Sequence, residues 1–82
     1  MRMIIVTVSF RTDTTDKAYD LEIPGNVPAS VLRHQIAAAI REYSGHTVKG
    51  TGLFVRRLNR CIGPGETPDE AGIWNGDILE IK

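Results

Sequence analysis

Between residues 4 and 10 the chain alternates, with Ile4, Val6, Val8 and Phe10 on one side and Ile5, Thr7 and Ser9 on the other. A period of two over β-branched residues predicts a strand with one buried face. The stretch 11–17 is polar and rich in Asp and Thr, which bond their own backbone in turns. Tyr19, Leu21 and Ile23 then alternate with Asp20 and Glu22, so a second strand pairs with the first as a hairpin.

Pro24-Gly25 breaks that strand, Asn26 is a candidate helix N-cap, and Pro28 stands where a missing N–H costs a helix least. No Gly or Pro follows until Gly45. At about 100° per residue, Ala29, Leu32, Ile36, Ala39, Ile40 and Tyr43 share one stripe, with Ser30, His34, Ala38 and Arg41 opposite. One amphipathic helix is predicted, ended by Gly45.

After a glycine-rich loop, Leu53 and Val55 alternate with Phe54 and Arg56, predicting a third strand to about Leu58. Asn59-Arg60 turns the chain into a short fourth strand at Cys61 and Ile62. Gly63-Pro64-Gly65 forbids regular structure, and residues 67–70 (TPDE) have the signature of a helical turn capped by Thr67. Asn75-Gly76 makes a tight turn before Leu79 and Ile81, which alternate with Ile78 and Glu80 in a fifth strand. This is an α+β domain with one helix packed on one face of a mixed sheet. The element order is that of ubiquitin; the resemblance implies a five-stranded β-grasp sheet of spatial order 2-1-5-3-4.

At 82 residues the chain is expected to be a single domain over 1–82. A chain this short buries about 60–65% of the surface its unfolded form exposes, so no deep enclosed active site is expected. Ten basic residues balance ten acidic ones. Nucleic-acid binding, which relies on excess Lys and Arg to displace counterions, is not expected. One cysteine, Cys61, allows neither an internal disulfide nor a Cys₄ zinc site, and fits a reducing cytoplasm. The apolar start is too short for a signal segment, and no run reaches 18 apolar residues, so a cytoplasmic chain without membrane insertion is expected.

Candidate chemistry is sparse. His34 and His46 have no metal ligands at suitable spacing and read as solvated side chains; Cys61, beside Ile62, reads as a small buried hydrophobe. Asp13 and Asp16 lack the rest of a calcium loop, and Gly45, Gly50 and Gly52 lack the Gly-Lys-Ser/Thr of a phosphate loop. No catalytic residue, metal or cofactor is implied, and the chain does not read as an enzyme.

Charge is segregated. Residues 33–60 hold six basic residues against Glu42, and residues 66–80 hold five acidic residues and no basic one. Strands 3 and 5 lying side by side would pair these charges across the sheet, each pair contributing a few tenths of a kcal/mol, about the magnitude of an exposed ion pair. The phase of the strands also leaves Ile5, Phe54 and Ile78 on the face away from the helix. With Arg56 and Glu80 around them, and Trp74 extending the surface or else plugging the core, they form a candidate site for a protein partner or for a second copy of the chain.

Glu70-Ala71-Gly72-Ile73, followed by Asn75-Gly76-Asp77 and Leu79-Glu80-Ile81, resembles the ubiquitin-like YukD-type proteins of WXG100, or type VII, secretion systems. It is also similar to the ubiquitin-like domain that begins EccD-type components of such machinery. Identity is concentrated in residues 66–81, whereas the remainder agrees in hydrophobic pattern and in the Val27-Pro28 helix start. The resemblance implies a non-enzymatic accessory module whose partners are secretion-machinery proteins. Ubiquitin and the sulfur carriers end in Gly-Gly; this sequence ends Leu79-Glu80-Ile81-Lys82. Conjugation is therefore not expected, the alternative being a carrier whose Gly-Gly lies beyond the residues given.

Overall fold

A computed structural model describes residues 2–82. In chain order the elements are β1 (Met3–Arg11), β2 (Asp16–Pro24), α1 (Ala29–Ser44), β3 (Leu53–Val55), β4 (Arg60–Cys61), α2 (Pro68–Ala71) and β5 (Ile78–Ile81). The strands form one mixed sheet in the order β2-β1-β5-β3-β4. β1 is antiparallel to β2 and parallel to β5, and β5 is antiparallel to β3.

The alternation read from β1 sets which face is sealed. Ile4, Val6, Val8 and Phe10 are each at most 2% exposed, and Leu53, Val55, Leu79 and Ile81 continue that face across the neighbouring strands. Leu32, Ile36 and Ile40, at helical spacing on α1, close over them. Removing an aliphatic side chain of this size from water contributes about 1.5–3 kcal/mol, so this layer supplies the main drive to fold.

The turns have local causes. Gly45 ends α1 in the left-handed conformation (φ 74°), its N–H donating to the Arg41 carbonyl at 2.8 Å. Thr67 and Glu70 form a reciprocal capping box on α2: the Glu70 N–H donates to Thr67 Oγ1 at 3.2 Å, and the Thr67 N–H to Glu70 Oε1 at 3.0 Å.

Four local expectations are corrected. Asn26 does not cap α1. Pro28 occupies the N-cap without a side-chain bond, and carbonyls of a distant loop satisfy the first amides: Ala29 N–H to Glu66 O at 2.9 Å and Ser30 N–H to Pro64 O at 3.0 Å. Tyr43 is not in the core but 85% exposed, because the last turn of α1 lies beyond the packed stripe that ends at Ile40. β3 stops at Val55 rather than near Leu58, because the Asn59 N–H closes a turn onto Arg56 O, with Asn59 itself at φ 53°. Cys61 is exposed, since its register partner Phe54 lies on the outer face and β4 inherits that phase.

Candidate interaction surface

The face of the sheet away from α1 is the candidate site, and the strand registers fix its layout. Thr7 pairs with Ile78 and Ser9 with Glu80 between β1 and β5, while Phe54 pairs with Glu80 between β3 and β5. The Arg56 N–H donates to Ile78 O at 3.1 Å. Ile5, Ile78 and Phe54 therefore stand at diagonal rather than directly opposed positions. The opposite diagonal of the last two is an ion pair, with Arg56 Nε donating to Glu80 Oε1 at 3.0 Å. That hydrogen bond, opposed by partial burial, holds the Glu80 carboxyl below the ordinary glutamate range. Lys82 Nζ lies 3.4 Å from Glu80 Oε2 and 4.0 Å from the centre of the Phe54 ring.

Apolar exposure is thus uneven across this face. Phe54 and Ile78 are half-buried among charged neighbours. Ile5 is 55% exposed, and Met3, two residues before it on the same face of β1, is 41% exposed. β1 begins at Met3 rather than Ile4, and the alternation that turns Ile5 outward turns Met3 outward as well.

Trp74 extends this end of the molecule and does not plug the core; Ile73, fully buried, does that. The turn following Trp74 is tied to β1: the Ile5 N–H donates to Asn75 Oδ1 at 2.9 Å, and the Gly76 N–H to Ile5 O at 2.8 Å. The indole is 63% exposed, yet it is held in place. Its backbone N–H donates to Asp77 Oδ2 at 2.8 Å, and the Arg57 guanidinium carbon lies 4.2 Å from the ring centre. Arg57 in turn donates through Nε to Asp77 Oδ1 at 2.7 Å, and through one terminal nitrogen to Asp77 Oδ2 at 2.9 Å and Gly72 O at 2.6 Å. Asp77 is the one buried charged side chain among the described residues. Its hydrogen bonds from Arg57 outweigh the opposing effect of burial and lower its pKa. Neither Arg57 nor Asp77 is a sequence-predicted site residue; the signal was the charge segregation, but pairing them required the strand register.

Arg60 and Glu66 form a further pair between the two segregated segments. Arg60 holds Glu66 in a bidentate arrangement at 2.9 Å for both bonds. That pair, with the Gly63 N–H at 3.1 Å, lowers the Glu66 pKa to about 2. Asp13 pairs with Lys49 and Asp16 with Arg11. No group of three or more metal-ligating side chains occurs among the described residues. His34 is exposed, and the His46 ring lies 6.2 Å from that of Phe10.

A mixed sheet of order 2-1-5-3-4 with one principal helix across one face is the β-grasp arrangement, and the molecule is ubiquitin-like. Residues 3–81, nearly the whole chain, match the family model described as "WXG100 protein secretion system (Wss), protein YukD", and the chain belongs to that family. No curated protein and no solved structure gives a significant match. No helix among the described residues is long and apolar enough to cross a membrane.

Proposed function

We propose that this chain is a non-catalytic protein–protein interaction module, an accessory component acting at the cytoplasmic side of a WXG100 secretion system. Its partner surface is the outer sheet face, with Ile5 and Trp74 as apolar anchors, Phe54 and Ile78 behind them, and the Arg56–Glu80 pair fixing orientation. The observation that carries this reading is Trp74, a large aromatic left in solvent while both its backbone and its ring are held from below. A pre-positioned aromatic loses little conformational entropy on binding, which is why Trp and Arg dominate the energetics of interfaces. Family membership supports a secretion-system protein as the partner class.

The test places a photo-crosslinking residue at Met3, exposed on the same outer face, and, as a control, at Ala38 on the exposed side of α1, in cells producing the secretion machinery. Crosslinks to a machinery protein from position 3 only are expected. Trp74→Ala and Ile78→Glu variants that remain folded by circular dichroism should lose capture of that protein. Folded variants that keep every partner would sink the proposal. A light-scattering concentration series separates this from self-association through the same face, for which a mass that doubles with concentration is the signature.

A further inference from the structure

β2 forms one margin of the sheet, and over nine residues it pairs only with β1. Which of its backbone groups remain free follows from the hydrogen bonds around it. The Thr7 N–H and the Ile5 carbonyl point toward the β5 side, bonding Asp77 O and the Gly76 N–H. At the ends of the hairpin the Thr12 N–H bonds Thr15 O and the Gly25 N–H bonds Arg2 O. Alternation between these fixed points sends the ladder bonds of β2 through Lys17, Tyr19, Leu21 and Ile23. The N–H and C=O groups of Ala18, Asp20 and Glu22 therefore face the open side, a template for one more strand.

The same parity puts the side chains of Asp20 and Glu22 on the outer face, since they stand opposite Thr7 and Ile5. Asp20 accepts only the Thr7 hydroxyl, at 2.7 Å, and neither acid has a cation partner among the described residues. On the other face Tyr19 and Leu21 are partly buried against the core. Pairing with a second copy's β2 sets acids against acids: centred on Asp20 it opposes Asp20 to itself, and centred on Leu21 it opposes Asp20 to Glu22. Like charges directly opposite are destabilising.

We infer that the free edge of β2 is a second docking site, separate from the outer face. It accepts an extended polypeptide segment of another protein with Lys or Arg at alternate positions facing Asp20 and Glu22, and apolar residues on the side facing Tyr19 and Leu21. Main-chain bonds to Ala18, Asp20 and Glu22 supply affinity, and the acids select the segment.

The test uses the full chain and a capped heptapeptide in which lysine alternates with valine and threonine, with amide hydrogen exchange read by NMR. At a peptide concentration ten times its dissociation constant, exchange of the Ala18, Asp20 and Glu22 amides should slow about tenfold, by mass action. A matched glutamate peptide should have no effect. Ala18→Pro removes one free-edge donor without touching the β1 ladder and should weaken binding, as should the Asp20→Lys, Glu22→Lys pair, whereas Trp74→Ala should not. Unchanged exchange at all three amides would overturn the inference, as would equal protection by both peptides, protection confined to Ile5 and Ile78, or dimerisation through β2.

Discussion

Replacing Asp77 by Ala tests whether the turn carrying Trp74 is held as described. The carboxylate is 6% exposed and accepts three hydrogen bonds, two from Arg57 and one from the Trp74 N–H. Breaking a fully buried ion pair by removing one member costs about 3–5 kcal/mol. The Arg57 side chain is 35% exposed, so its stranded charge recovers part of its hydration and the expected loss falls to about 2–3 kcal/mol. For 82 residues the whole stability is on the order of 4–12 kcal/mol, so a drop of about 10–20 °C in Tm should follow. Urea denaturation followed by the fluorescence of Trp74, the sole tryptophan, provides the assay. In a double-mutant cycle with Arg57→Ala the two losses should fall short of additivity by about 1 kcal/mol or more. A loss below about 0.5 kcal/mol, the range of an ordinary surface substitution, or strict additivity would refute the latch.

Acid should unfold the protein through its paired carboxyls. The unfolded chain takes up protons near pH 4.5 at Glu66, whereas the folded site resists until about pH 2. Asp77 and Glu80 are displaced in the same direction. The unfolded state thus binds more protons across this window, so stability is full above about pH 5 and is lost as pH falls toward 2. Urea midpoints measured against pH should show that slope, reduced in Glu66→Gln; a midpoint that rises below pH 4 would contradict it. Gly50→Ala should cost about 1–3 kcal/mol, because φ is 115° and a Cβ would meet the Lys82 carbonyl carbon at 2.5 Å. Gly65→Ala, where no atom lies within 4 Å of the added carbon, should melt within a few degrees of the parent. Tyr43→Ala should change stability by less than about 0.5 kcal/mol despite its place on the apolar helical stripe, and a core-sized loss would mean that α1 packs differently.

What is legible in the amino-acid sequence follows the range of the interactions responsible. The phase of β1 and β5 was legible because a strand's faces alternate residue by residue, and four consecutive apolar positions on β1 leave one assignment. The stripe on α1 was legible for the same reason, except at Tyr43, where helical periodicity carries no information about where the sheet beneath ends. The N-terminus of α1 was misread because its amides are satisfied by Pro64 and Glu66, some 35 residues away. Cys61 was misread because a strand of two residues has no alternation to interpret; its face is dictated by Phe54 across the ladder. In the candidate site, the outward phase of Ile5, Phe54 and Ile78 was legible. That Arg56 and Glu80 divide them required the register between β3 and β5.

The Asn75-Gly76-Asp77 segment has a structural occupation, and this bears on the proposed function. Asn75 accepts the Ile5 N–H, Gly76 adopts φ 88°, and Asp77 secures Arg57 and the Trp74 amide. These groups are spent on closing the β5 turn onto β1 and β3. They bring Trp74 to the surface without being available to a partner themselves. A chain that kept Asn75, Gly76 and Asp77 while exchanging Trp74 and Ile5 would therefore keep the fold and, on the proposed function, change what it binds. On the proposed function, exchanging these two side chains between members of the family should transfer binding preference while leaving the melting temperature nearly unmoved.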